Sequence, residues 1–514
     1  MRVKEKQVIL SPINDKFSDE EKSTLSDLGY RANLHGHCIT GYDTYNLTKG
    51  LFNVQESVAL AEYLQELVKA SESNYIKLQS YLENDAPMKL FDFQKEFVYW
   101  FNDPLKCRNS VMNCSEMGLG KSPMSMAAIL GPNPSTNLII LCPKNAIGNW
   151  ITHLEIFNYS LPIHVGSFKP EEKGCSILTY ESLPPIKKEA NEKKRFIEDY
   201  KLPSNMVIIA DEFHKCKNAK TKMTKRFRKL FKKVTEKGGK CIALTGTPIM
   251  SYESDMKTLL TNVDLFKCTF GKASVFDQLY GGEFDFARKK YVWKPDRRNP
   301  EEIHRRLSHV VFIKKKKDVY SQLPEIIETK IKLDLSIPKE DKKLLDTLNT
   351  NDKNHIREYQ RIRAALAKAK FNRALETIEE YEQQEKKIIV CSWFKETIEE
   401  LGKRKGWKYI TGDTPALERD KIAKEINDGK CNGAITIKAG STALNIPNID
   451  TILLIDVSLT PGDNDQILGR IDRISNIKPK LHHVYFITDH PFELKMYDNL
   501  LMKRELINDS IGDL

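Results

Sequence analysis

Two tandem parallel-sheet α/β lobes, with a small α+β domain in front of them, are the fold class this sequence predicts. Three observations carry it. Short apolar runs that end in polar loops alternate with helical stretches, as buried parallel strands and their crossover helices do. The alternation occurs in two separate blocks. The 514 residues are 40% hydrophobic and 29% charged, with 22 Phe, 19 Tyr and 5 Trp, enough apolar material for more than one core.

Residues 1–85 carry no motif; helical spacing of Val, Leu, Ala and Tyr over Val54–Leu82 and short strand-like stretches predict a small N-terminal domain of unknown role. In 86–262, LIILCP (138–143), SILTY (176–180), MVIIADE (206–212) and CIALTGTP (241–248) predict the strands of a first lobe. An aromatic and basic stretch, 263–330, follows as an insert and connector, with FDFARKKYVWKPDRR (284–298) and the run Lys314–Lys317. A charged helical segment over about 339–385 leads into the second lobe, 331–490. Its strands are KKIIVCSWF (386–394), WKYITG (407–412), GAITIKAG (433–440), DTILLID (450–456) and HHVYFIT (482–488). Residues 491–514 are expected as a C-terminal helix or tail.

The net charge of +11 and pI of about 8.9 favour a polyanionic partner such as nucleic acid. Ten cysteines lie scattered without a C-x-x-C pair, so no zinc or redox motif is spelled out. Cys142 and Cys391 fall inside apolar runs and read as small buried hydrophobes in a reducing, intracellular setting. The first residues lack the apolar core of a secretory signal, and no run of about 18 apolar residues predicts a membrane span.

CSEMGLGKS (114–122) follows an apolar segment and precedes MSMAAIL, a predicted helix. A loop in that position wraps backbone N–H groups around phosphate oxygens at a helix N-terminus. Gly118 and Gly120 would allow close approach, Lys121 would neutralise the β/γ-phosphates, and the Ser122 hydroxyl would ligate Mg²⁺. Ser115 stands where the general G-x-x-x-x-G-K-[ST] pattern has glycine. Ninety residues on, MVIIADEFH ends a strand in two carboxylates: Asp211 to hold Mg²⁺, Glu212 to orient and deprotonate the attacking water. His214 is expected to relay nucleotide state onward.

In this order the motifs resemble the superfamily 2 helicases, and within them the Swi/Snf-type ATPases, over roughly residues 88–485. LFDFQKEFVYW (90–100) is similar to that family's L-x-x-Y-Q segment, which implies that Gln94 reads adenine with Phe93 nearby. SEMGLGKS resembles D-E-M-G-L-G-K-T, implying nucleotide contacts along Glu116, Met117, Gly118, Leu119, Gly120, Lys121 and Ser122. LCPKNAIGNW (141–150) looks like V-P-x-S-x-x-x-N-W, a stretch implied to contact a DNA strand. ILTYESL (177–183) resembles a T-T-Y-E element. DEFHKCKN (211–218) is close to D-E-x-H-x-x-K-N, and LTGTPI (244–249) matches the element coupling hydrolysis to movement through Thr245, Gly246 and Thr247. VVFIKKKKDVYSQLPE (310–325), YITGDTPALERDKI (409–422) and TIKAGSTALNI (436–446) follow the later motifs. Lysine replaces arginine at the head of the first, and Ile437 and Ala443 depart from the usual Thr and Gly in the last. QILGRIDRIS (466–475) resembles the segment that supplies arginines across the cleft.

The resemblance implies two RecA-like lobes with an interlobe cleft, ATP and Mg²⁺ as the fuel, and DNA, duplex or branched, as the track, with RNA a lesser expectation. Gln466, Arg470 and Arg473 have i, i+4, i+7 spacing, one face of a helix; alone, that spacing fits a surface amphipathic helix with ordinary salt bridges better. An arginine presented to the γ-phosphate from the second lobe would make hydrolysis depend on cleft closure. Strand contacts are expected from Lys144 and Asn149 in the first lobe and Lys438 and Ser441 in the second. TKMTKRFRKLFKKVTEK (221–237) reads as a packed helix with a solvated basic face, and Lys314–Lys317 as a solvated connector. The expected function is a DNA-dependent ATPase that translocates on duplex DNA, nearest to the annealing-helicase and fork-remodelling branch. Its competitors are a strand-separating helicase, a viral transcription-associated nucleoside triphosphatase and a non-hydrolysing nucleic-acid-binding protein. Protein partners are not readable. The expected location is cytoplasmic, nuclear or nucleoid, with a viral or phage origin compatible with the compact chain.

Overall fold

In the computed structural model the described residues are 2–4, 7–10, 31–33, 36–39, 58–103, 110–131, 135–187, 195–246, 248, 253–285, 290–319, 325–333, 353–437, 446, 448–469, 471–472 and 478–511. Contacts divide the chain into two compact units, Met1–Lys315 with Leu506–Leu514, and Lys316–Glu505.

The first unit opens with an antiparallel four-stranded sheet, ordered β1-β2-β4-β3, from Arg2–Lys4 (β1), Gln7–Leu10 (β2), Arg31–Asn33 (β3) and Gly36–Ile39 (β4). The 23-residue helix Val58–Ser80 follows, as its spacing predicts. The main sheet has seven parallel strands in the order β13-β5-β10-β9-β6-β8-β7. These are Ser110–Asn113 (β5), Leu138–Leu141 (β6), Ile163–Val165 (β7), Cys175–Leu178 (β8), Val207–Ala210 (β9), Lys240–Leu244 (β10) and Val311–Phe312 (β13). Strands β5, β6, β8 and β9 are buried at every position, which is why they read as unbroken apolar runs. The helix Lys222–Thr235 lays Phe227, Leu230, Phe231 and Val234 on the core, and Gly238 turns the chain at φ 76°. Arg226, Lys233 and Lys237 on its flanks donate to carbonyls of Leu183, Ile197, Glu198 and Leu202, so much of its basic face already has structural partners. The insert contributes a short hairpin, Gly282–Asp285 (β11) with Lys290–Trp293 (β12).

The second unit is a six-stranded parallel sheet, β14-β19-β18-β15-β17-β16. Its strands are Glu325–Leu333 (β14), Ile389–Ser392 (β15), Trp407–Ile410 (β16), Asn432–Thr436 (β17), Thr451–Leu454 (β18) and Lys480–Thr488 (β19). The long helix Lys353–Gln383 packs Phe371, Ala374 and Ile378 on one face of this sheet. Inside it, Lys370 is 1% exposed and pairs with Glu493 at 2.5 Å. The fold is thus two parallel-sheet α/β units.

Two local expectations fail. The helix expected through QILGRIDR ends at Leu468, and Ile471 and Asp472 are outside it. Past its end Asp472 N still donates to Leu468 O at 3.1 Å, and Lys316 Nζ takes both the Asp472 carbonyl (2.5 Å) and carboxylate (2.9 Å). Among the described side chains of the Lys314–Lys317 run, the expected full solvation does not hold. Lys316 is 7% exposed, and Lys314 pairs with Glu96 at 2.9 Å.

Candidate functional site

In parallel sheets the loops after the strand C-termini share one edge, where such folds bind ligands. In the first unit that edge carries the loop after β5, Pro143 and Lys144 after β6, Asp211 and Glu212 after β9, and Thr245 and Gly246 after β10. All of the expected catalytic groups of this unit lie on it.

The phosphate-type loop takes its shape from two left-handed glycines, Gly118 at φ 86° and Gly120 at φ 78°. At Gly120 a Cβ would collide with the Gln94 amide, whose Nε2 donates to Leu119 O at 3.0 Å. The helix Lys121–Leu130 starts directly after it. Lys121 Nζ folds back onto the loop, donating to Ser115 O (2.7 Å) and Glu116 O (3.1 Å). The chain entering the connector runs alongside: Cys114 N donates to Phe312 O (2.7 Å) and Glu116 N to Lys314 O (3.0 Å). Ser115 Oγ, fully buried, accepts Lys314 N at 3.1 Å. The serine that departs from the usual residue therefore seals the loop to the connector.

Gln94 is 6% exposed and spends half its amide internally, Oε1 accepting Phe91 N at 3.0 Å. Phe93 is buried, and the exposed ring beside Gln94 is Phe91, at 49% exposure and 5.9 Å from Phe93.

The carboxylate pair is held tightly. Asp211 N donates to Leu141 O (2.7 Å), and Asp211 O accepts the Tyr180 hydroxyl (2.7 Å). Its Oδ2 accepts the Trp150 indole N–H (2.9 Å) and its Oδ1 accepts Glu212 N (2.9 Å). Burial, followed by the neighbouring Glu212 charge, pushes the Asp211 carboxyl up to about 6, against the opposing pull of Trp150 and Lys121. Glu212 sits in the left-handed region, φ 49° and ψ 48°. That turn brings its carboxylate to His214 Nδ1 (3.3 Å), which also meets Thr245 Oγ1 at 3.2 Å. A Cβ on Gly246 would stand 2.9 Å from Met117 Cγ and 3.6 Å from Lys121 Nζ, so this glycine lets the β10 loop lie against the phosphate-type loop.

Among the described residues no group of three or more His, Cys, Asp or Glu is placed to hold a metal. Mg²⁺ needs no such cage, being held by one or two protein oxygens plus substrate phosphates and water. The Ser122 hydroxyl, and an Asp211 carboxylate with lone pairs left after its two hydrogen bonds, fit that requirement.

Lys144 and Asn149 are exposed around the start of the helix Ile147–Ile156, whereas Trp150 next to them is 1% exposed. Trp150 and Tyr180 are the site residues that sequence reasoning missed. The apolar spacing Ile147, Trp150, Leu154 was the signal that Trp150 faces inward. In the second unit, Gln466 is 7% exposed in the last turn of the helix Pro461–Leu468. Arg470, Arg473, Thr247, Lys438 and Ser441 lie outside the described residues.

The SNF2-related domain matches residues 93–390, more than half of the chain, and the helicase conserved C-terminal domain matches 369–475. A protein of Acanthamoeba polyphaga mimivirus named as an ATP-dependent RNA helicase is 24% identical, covering 88% of this chain and 90% of its own. The human SWI/SNF-related matrix-associated actin-dependent regulator of chromatin subfamily A member 1 is 24% identical over 82% of this chain. The chain spans only 43% of that human protein. The Sulfolobus solfataricus SWI2/SNF2 ATPase core, solved in complex with dsDNA, is 20% identical with a TM-score of 0.39, covering 83% of this chain and 94% of that one.

Proposed function

The chain belongs to the SNF2-related family, and from that premise we propose that it hydrolyses ATP with Mg²⁺ and uses the energy to translocate on DNA, duplex or branched. The observation that carries this reading is the meeting, on one sheet edge, of the glycine-shaped loop with Lys121, the Asp211–Glu212 pair and Gly246.

Incoming β- and γ-phosphates would draw Lys121 Nζ off the neutral carbonyls of Ser115 and Glu116 onto charged oxygens, a stronger class of hydrogen bond. Gln94, with one N–H on Leu119 O and one lone pair on Phe91 N, retains one donor and one acceptor. That is the complement of the adenine N6/N7 edge. Ser122 and Asp211 would hold Mg²⁺, which when bound neutralises charge on the phosphates. Glu212 would orient the attacking water and draw its proton, and its link through His214 to Thr245 would report the bond's state to the 244–249 element. Gln466, Arg470 and Arg473 of the second unit would complete the site against the γ-phosphate. Lys144 and Asn149, with Lys438 and Ser441, would hold a strand mainly by phosphates. The unpaired thiols buried at Cys142, Cys216 and Cys391 suit a reducing compartment.

The test is steady-state hydrolysis over single-stranded, duplex, forked and four-way DNA and RNA, beside triplex and strand displacement. The reading expects duplex or branched DNA to stimulate turnover most, and triplex displacement without unwinding. Lys121→Ala and Glu212→Gln are expected to abolish turnover while DNA binding persists; normal hydrolysis in either removes the assignment. Stimulation by RNA alone would move the protein to an RNA track.

A further inference from the structure

The Asp211 carboxylate is held by a residue from the segment expected to face DNA. Trp150 is among the largest fully buried side chains, and its indole N–H donates to Asp211 Oδ2 at 2.9 Å. Indole nitrogen donates only, so a buried Trp150 without this acceptor would carry an unmet donor. Each group therefore fixes the other. Tyr180 holds the Asp211 carbonyl at 2.7 Å, and Glu212 N takes the second carboxylate oxygen, so Trp150 Nε1 is the side-chain donor that sets this carboxylate's rotation. Trp150 shares its helix with exposed Asn149, and exposed Lys144 lies in the turn just before. Adjacent helical residues diverge by about 100°, so one rigid piece presents Asn149 outward and Trp150 inward.

We propose that Trp150 is a positioning residue that couples strand engagement at Lys144 and Asn149 to the orientation of the Asp211 carboxylate. This rests on Asp211 being the metal ligand. A small tilt of the helix on a DNA backbone moves the indole N–H relative to Oδ2, and hydrogen bonds weaken steeply with misalignment. Linkage makes the coupling reciprocal: duplex DNA tightens metal–nucleotide binding by the factor by which metal–nucleotide tightens duplex binding.

The test uses the full chain with benzothienylalanine at position 150, an isostere with sulphur in place of N–H, beside Trp150→Phe. Mn²⁺ affinity in the presence of ADP is read by electron paramagnetic resonance, and duplex affinity with and without Mn²⁺-ADP by fluorescence anisotropy. Loss of an outer-shell hydrogen bond to a metal ligand weakens metal affinity by about 10- to 100-fold. The isostere is expected to melt near the wild type, to bind Mn²⁺ at least about 10-fold more weakly, and to bring the coupling factor close to one. Wild-type Mn²⁺ affinity and coupling in the isostere would overturn the proposal even if Trp150→Phe failed to fold. Asp211→Asn separates the two levels. If it abolishes Mn²⁺ binding while the isostere changes nothing, this inference alone fails. If it too leaves Mn²⁺ affinity intact, the metal assignment falls and this inference with it.

Discussion

Glu212 adopts a backbone conformation that side chains with a Cβ avoid, and it does so where its carboxylate must reach His214. A left-handed residue costs about 1–2 kcal/mol unless it is glycine. Glu212→Gly is therefore expected to resist urea better than Glu212→Ala by about 1 kcal/mol, although both lack turnover; equal midpoints would mean the turn is unstrained. Asp211 bears the opposite kind of burden, electrostatic rather than steric. Its carboxyl is pushed up to about 6 by burial and by Glu212, against about 3.9 in an unfolded chain. Between those values the folded state holds a proton that the unfolded state has released. Stability thus falls as pH rises through that window, and the penalty is complete above it. In metal-free protein, Asp211→Asn is expected to flatten the decline between pH 4 and 6, while its single amide oxygen can meet only one of the two donors, Trp150 Nε1 and Glu212 N. Calorimetry across that range checks this, and an unchanged slope between pH 4 and 6 would contradict the burial argument.

Elements were legible in proportion to their burial. Strands such as LIIL of β6 and VIIA of β9 are apolar because sheet neighbours and helices cover both faces, and their polar ends announce the loops that carry Lys121 and Asp211. Strand β14, mostly exposed along EIIETKIKL, and the two-residue β13 leave no such signature. The arginine segment is legible only in part. Its spacing allows a helix, and the helix ends at Leu468, but nothing in spacing reveals that Lys316, some 150 residues earlier, bonds Asp472. Trp150 was missed because the motif around it implied a DNA strand, whereas its own bulk and spacing pointed inward. Two element-level outcomes follow from contacts that no motif describes. Gly246→Ala places a methyl 2.9 Å from Met117 Cγ and beside Lys121 Nζ. A fluorescent ADP analogue should bind on the order of 10-fold more weakly, the equivalent of one lost polar contact, with the melting temperature nearly unchanged; undiminished affinity would show that the two loops are not packed in solution. Lys370→Met leaves the Glu493 charge buried without its ion-pair partner. It should cost about 3–5 kcal/mol, much of it recovered by adding Glu493→Leu. Denaturant titration of the single and double variants reads this, and additive losses would deny the pairing.

At the scale of the molecule, the chain passes from one unit to the other within the lysine run, at Lys315–Lys316, and its last residues rejoin the first unit. On one side of that passage Lys314 is bonded to the phosphate-type loop through Ser115 and Glu116; on the other, Lys316 grips Asp472, the residue before Arg473. The proposed reading divides the fuel site between the two units, so that neither would hydrolyse alone. In that reading Arg473, with Gln466 and Arg470, is the second unit's contribution, and the other groups assigned to hydrolysis lie in the first. The most direct measurement is single-turnover ATP hydrolysis by Arg473→Ala with saturating duplex DNA, alongside nucleotide affinity. The account predicts unchanged nucleotide binding with hydrolysis slowed about 10³-fold or more, the scale of a lost arginine at a γ-phosphate. Hydrolysis at the wild-type rate in that variant would contradict it.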